Sequence, residues 1–171
     1  MAKNVIGAGA LALLLSSCAS FSGPPPPCPR ISILAGTDDI TIYKPGRGRD
    51  LTDVEFKARF VKAKTRCRFD ADENLISSDN RFTIIAERGP AAKNRQVEFP
   101  IYMALTRTNK QMIDKRQYPL LVRFPEGVDR VEVREGVNGT KIYLDKGEQG
   151  DHFEILVGFQ LSRHQMDSQK R

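Results

Sequence analysis

From residue 30 onward the chain repeats one pattern: short runs of alternating apolar and polar residues, separated by residues that favour turns. Side chains two apart in a strand point the same way, so each run can turn one face to a core. Val97, Phe99, Ile101, Met103 and Leu105 form one such set. Tyr118, Leu120, Val122 and Phe124 form a second, and Phe153, Ile155, Val157 and Phe159 a third. The predicted strands are Ile31–Leu34, Asp39–Tyr43, Val54–Phe60, Val61–Phe69, Phe82–Ala86, Val97–Thr106, Tyr118–Phe124, Arg130–Glu135, Lys141–Leu144 and Phe153–Leu161. No stretch sustains the 3.6-residue period of an amphipathic helix. The expectation is an all-β domain, an immunoglobulin- or fibronectin-like β-sandwich of about 7–9 strands. A small β-barrel is the alternative.

The segment from Val54 to Phe69 carries more information than the rest. Val54, Phe56, Ala58 and Phe60 are inward at even positions, whereas Val61, Ala63, Thr65, Cys67 and Phe69 continue at odd ones. One extra residue at Phe60-Val61 would switch the parity, which is what a β-bulge supplies; a short turn is the other reading. Either way Cys67 faces inward and Lys62, Lys64, Arg66 and Arg68 face out.

Turn chemistry divides the remainder. Asn138-Gly139 between two β-like runs predicts a hairpin, because both central residues of that turn need positive φ. Gly147 to Gly150 suits another hairpin loop, and Ser77-Ser78-Asp79-Asn80 and Arg88-Gly89-Pro90 mark connections. Pro100 lacks the N–H a ladder uses, so its strand is expected at a sheet edge or bulged. The polar tail 162–171 is expected to fray.

The first 29 residues do not follow the β pattern. Met1-Ala2-Lys3-Asn4 is a short positive segment, and Val5 to Leu15 is an apolar run too short for a spanning helix, which needs ~20 residues. Charge, short apolar core and small residues together read as a secretory signal, 1–17. The sequence Leu15-Ser16-Ser17-Cys18 resembles the lipobox of bacterial lipoprotein precursors. The resemblance implies cleavage before Cys18, a diacylglyceryl group on its thiol and anchoring in the cell envelope. Two or more acyl chains make such an anchor stable, at ~0.8 kcal/mol per buried CH₂. Ala19, rather than Asp, after the cysteine implies the outer membrane if the host is Gram-negative. The layout of the rest, including the closing run from Phe153 to Leu161, resembles uncharacterised alphaproteobacterial outer-membrane lipoproteins, a likeness that implies no activity.

Residues 18–29 read as a tether and 30–161 as the domain. Pro24 to Pro27 favour polyproline II, which would hold the domain up to ~30 Å from the bilayer; a floppy spacer is the alternative. With Cys18 lipidated, Cys28 and Cys67 remain as an even pair in an oxidising compartment, and a disulfide between them is predicted. Two buried thiols are the other possibility. No Cys-X-X-Cys motif is present, so redox catalysis has no support.

Composition narrows function mostly by exclusion. Apolar residues at 40% and charged residues at 28% are those of a folded chain. The absence of Trp removes a Trp-based carbohydrate platform. Net charge is +6, of which the leader holds one Lys. That mild excess suits anionic surfaces, and an exported protein is not expected to meet nucleic acid. His152 and His164 have no metal-ligand spacing, and no nucleophile elbow is present. Arg47 and Arg49 flank glycines that lack the full phosphate-loop pattern. Asp38-Asp39 and Asp70, Asp72 and Glu73 read as turn carboxylates before they read as a Ca²⁺ site. No cofactor, metal or catalytic residue is expected. Lys62, Lys64, Arg66 and Arg68 would form a basic row with neighbours ~6.6 Å apart, extended by Arg47 and Arg49 if their loop folds close by. Such a row can bind anionic lipid or glycan, or guard an edge strand against aggregation. The expected function is thus a non-enzymatic binding or assembly module of the envelope, with envelope proteins as partners. The alternative is a direct binder of anionic lipid or glycan through the row.

Overall fold

A computed structural model describes residues 24–46, 48–108 and 111–169. Among the described residues eight strands are formed: β1 (Arg30–Ile33), β2 (Asp39–Tyr43), β3 (Val54–Asp70), β4 (Leu75–Arg88), β5 (Gln96–Arg107), β6 (Gln111–Arg123), β7 (Arg130–Tyr143) and β8 (Phe153–Phe159). A short helix, α1 (Arg163–Gln169), follows. The strands form two four-stranded sheets, in the orders β1-β8-β5-β6 and β2-β3-β4-β7. The expected all-β two-sheet sandwich is what the chain forms. Its second sheet begins as the meander β2-β3-β4. The chain then crosses over for the β5–β6 hairpin, returns to lay β7 beside β4, and crosses again to insert β8 between β1 and β5. β1 runs parallel to β8, so first and last strands close the same sheet.

The alternating residues meet between the sheets. The Phe60 ring lies 4.8 Å from that of Phe159 in the opposite sheet and 5.5 Å from that of Phe82 in its own. Phe56 stacks on Phe124 at 5.8 Å, and Phe99 meets Phe159 edge-on at 5.9 Å. The three inward sets proposed from the sequence all contribute to this core, apart from the half-buried Val97 and Tyr118 at its margin. Full burial of such side chains is worth about 1.5–3 kcal/mol each, the main term holding the sheets together.

The long strand β3 contains the expected bulge. Phe60 pairs with Ile84 and Lys62 with Thr83, leaving Val61 as the extra residue. Val61 is itself exposed rather than inward; beyond it Ala63, Thr65, Cys67 and Phe69 are half-buried and the intervening cations exposed. Cys67 is joined to Cys28 as a disulfide with a Cα–Cα distance of 5.8 Å. Just after Cys28, Pro29 is fully buried, and a Cβ on Gly150 would strike the carbonyl of Pro27, the residue before Cys28. The end of the tether is therefore packed onto the domain.

Several local expectations are corrected by long-range pairing. Asn138-Gly139 is not a hairpin: β7 continues through it, and Ser78 pairs with Thr140 while Asn80 pairs with Val137. Two residues on β7 oppose Asp79 alone, with Gly139 at φ +68° donating its N–H to Asp79 Oδ1 at 3.0 Å. A bulge of this kind needs one positive φ where the hairpin turn needs two. Ser77 to Asn80 are not a connection either. They lie in β4 with Ser78 and Asn80 fully buried, Asn80 Nδ2 donating to Ser78 Oγ and Thr140 Oγ1. The turn falls earlier, at Ala71–Asn74, where Asn74 takes φ 49° and Asp70 Oδ1 accepts the N–H groups of Asp72 and Glu73.

The Gly147–Gly150 segment joins strands of different sheets, so it is a crossover and not a hairpin loop. Pro100 lies in β5, which has neighbours on both sides. It faces Pro119, and its carbonyl accepts from Gln160 N just past the end of β8. Since N and C=O of one residue point to the same side, its missing N–H costs the ladder to β6 nothing. Finally, 163–169 is helical, begun by Ser162 and Gln165, whose side chains bond each other's backbone N–H as a capping box.

Candidate functional site

The basic row is displayed on the outer face of the second sheet. Lys62, Lys64, Arg66 and Arg68 are all exposed, placed there by the parity switch at Val61. Residues directly opposite in an antiparallel pair share a face, so the register extends the row across the sheet. Lys64 faces Arg81 on β4, Arg68 faces Ser77, and Ser77 in turn faces Lys141 on β7. Lys62 faces Thr83, and Thr83 faces Arg134. A shallow groove of about 230 Å³ runs between Lys62, Lys64, Arg81 and Arg134, with Glu135 as its one acid.

Cations without an ion-pair partner among the described residues occur elsewhere too, Arg30, Lys93, Arg123 and Lys146 among them, but on this face they stand on adjacent strands. Arg88, Arg95, Arg107, Arg116 and Arg130 each pair with a carboxylate. Lys62, Lys64, Arg66, Arg68, Arg81 and Lys141 make no ion pair with any described residue. Arg134 is neutralised by Glu132 on its own strand at 2.7 Å. Asp79, opposite Arg66, accepts the Gly139 N–H at Oδ1 and places one negative charge on the same face. Lys64 and Arg81 put like charges in directly opposed positions, an arrangement that destabilises a strand pair.

The edge-guard reading explains only part of this. Past the bulge β3 pairs with β4 alone, because β2 stops pairing at Asp39–Arg59, so the row does lie on a sheet margin. Arg81, however, is on β4, an interior strand with no edge to guard. Sequence reasoning missed Arg81, Arg134 and Lys141. Their signal is the alternation of β4 and β7, hidden because Ser77–Asn80 and Asn138-Gly139 read locally as breaks.

Other candidates fall elsewhere. Arg49 does not join the row: its guanidinium lies 5.1 Å from the Tyr43 ring and donates to the carbonyls of Gly46 and Gly48. Tyr43 pairs with Val54, eight residues before Lys62, which is ~26 Å along a strand. Arg47 and Cys18 lie outside the described residues. Asp38 Oδ1 accepts the Gly36 N–H, and His152 Nδ1 accepts that of Gln149. No group of three or more His, Cys, Asp or Glu could hold a metal among the described residues. Asp53, buried beneath the loop before β3, has its carboxyl held below the ordinary range, chiefly by its bond to Lys44 and next by the Asp50 N–H. A scan against protein-family models, a search of curated proteins and a search of solved structures each returned no match.

Proposed function

We propose that this chain is a lipid-anchored, non-enzymatic protein of the cell envelope that binds anionic lipid headgroups or anionic glycan through the outer face of its second sheet. The anchor is assigned to Cys18 from the lipobox. The observation that carries the binding role is the set of unneutralised cations on β3, β4 and β7, with Lys64 set against Arg81 on an interior strand. A face kept at an electrostatic cost is expected where an anion repays it. The purely protein-binding or assembly role has the free outer edges of β6 and β7 in its favour.

Flotation of the full chain carrying Cys18→Ala with phosphatidylglycerol or phosphatidylcholine vesicles, and its pull-down on lipopolysaccharide, test the proposal without the anchor's own membrane affinity. Each cation near an anionic surface is worth about 1 kcal/mol. Lys62→Glu, Lys64→Glu and Arg66→Glu together should therefore weaken anionic binding by over a hundredfold. If the triple variant keeps anionic binding, or loses protein partners instead, the anionic reading fails and the assembly role takes its place. Intact-mass measurement on membrane-extracted protein tests the anchor: residues 1–17 should be absent and acyl mass present, with neither acyl mass nor membrane retention in Cys18→Ala.

A further inference from the structure

The two sheets are not equally close along their length. On one side they are tied by Cys28–Cys67 and by the contact of β1 with β3. On the other, the β6 edge of the first sheet and the β7 edge of the second stand apart, with a cleft of about 420 Å³ between them. Its walls are largely apolar, with Met103 and Leu105 from the inner face of β5, Ile113 and Tyr118 from β6 and Val137 from β7. The inner face of β6 changes character as it leaves the sandwich. Leu120 is buried and Tyr118 half-buried, but Arg116 and Asp114 are exposed and paired with each other at 2.9 Å.

Charge marks the mouth of this cleft. Lys141 lines it, without an ion-pair partner among the described residues, and belongs to the basic face as well. Arg116 stands on the opposite rim. Thr140 Oγ1 also lines the cleft and already accepts from Asn80 Nδ2, so its own O–H is left to donate. The Arg116 rim is neutralised by Asp114, which also lines the cleft, so an apolar trough with the Lys141 ammonium and the Thr140 hydroxyl on one rim complements an anionic amphiphile.

We propose that the cleft between β6 and β7 takes the acyl chain of an anionic membrane lipid, with the headgroup held at Lys141 and Thr140. This rests on the anionic reading of the second sheet and narrows its ligand from glycan or lipid to lipid. The basic face would meet the headgroup plane while the cleft receives one chain.

The test uses the full chain carrying Cys18→Ala, so that no lipid of its own competes, and monomeric butyl, octyl and decyl phosphate as probes in calorimetric titrations. Each methylene buried strengthens binding up to about fourfold. Decyl phosphate should therefore bind more tightly than octyl by up to about sixteenfold, and butyl phosphate far more weakly. Ile113→Asp places a carboxylate at a half-exposed cleft position that the core does not depend on. It should cost decyl phosphate about tenfold or more in affinity while leaving the disulfide and the unfolding midpoint unchanged. The Lys62, Lys64 and Arg66 triple variant should lose vesicles and keep decyl phosphate, which separates failure of the basic face from failure of the cleft. Equal affinity for all three probes, or full affinity in Ile113→Asp, would overturn the proposal. So would dimerisation through β6 and β7 with no alkyl phosphate bound, which would give the cleft to a second copy.

Discussion

Asp53 is a buried acid whose charge is retained because the loop closes around it. Lys44 Nζ lies 2.6 Å from Oδ1, the Asp50 N–H reaches Oδ2 at 3.1 Å, and a side chain on Gly48 would collide with the carboxylate. With its pKa lower in the folded chain than the ordinary 3.8, this carboxylate binds fewer protons folded than unfolded as pH falls through that region. Its contribution to stability is complete above the unfolded value and is lost as pH drops below about 4 toward the folded one. Urea unfolding as a function of pH should therefore show a shallower acid limb in Asp53→Asn than in wild type. At Gly139 the constraint is conformational. A Cβ there would meet nothing within 4 Å, yet φ is +68°, a region that costs an L-residue roughly 1–2 kcal/mol. Gly139→Ala should lower the unfolding free energy by about that amount with an unchanged denaturant slope.

Among the elements, β3 shows how one residue sets the meaning of many. Val61 is the added residue of the bulge, and the parity of every position beyond it follows from its presence. Deleting it would remove the bulge without changing a partner: Phe60 would stay opposite Ile84 and Lys62 opposite Thr83, with Cys67 inward and Lys62 to Arg68 outward in an unbroken ladder. Titration of free thiols in the oxidised protein should therefore find none from Cys28 and Cys67 in the deletion variant, as in wild type. At the same place Phe60 bridges the sheets through Phe159. Truncation of a buried Phe costs about 3–5 kcal/mol, so Phe60→Ala should lower the midpoint of thermal unfolding sharply without changing the strand content of what remains folded. The bulge is readable in the sequence, since alternation and its interruption are local, whereas the Phe60–Phe159 contact depends on which strands face each other across the sandwich.

At the scale of the whole molecule, the disulfide and the cleft lie on opposite margins of the sandwich. Cys28 and Cys67 are 39 residues apart, a loop whose closure stabilises by roughly 4 kcal/mol in the chain-entropy model. Paired Cys28→Ser and Cys67→Ser should lose about that much in urea unfolding and free the tether to move, visible as faster amide exchange at the end of β1. The closed margin holds the sheets together so that the β6–β7 margin can stay open.

What the sequence by itself determined is whatever a period of two can encode: the all-β class, the inward sets, the bulge at Val61, the inward Cys67 and the outward cations of β3. The capping box at Ser162 was also present in the residues, although the polarity of the tail hid it. What only the tertiary structure decided is which strands are neighbours and in what register. Asn138-Gly139 offers a positive φ that serves a turn or a bulge equally, and the ladder between β4 and β7, with Ile142 buried beside it, selects the bulge. Ser77 to Asn80 read as a loop until the pairing with β3 and β7 supplies their backbone partners. The same pairing brings Lys64, Arg81, Arg134 and Lys141 to one face, residues remote in the chain that no local pattern can join. Side-chain alternation is a property of one strand, but a binding face is made by several, and their alignment is set by the packing of a shared core.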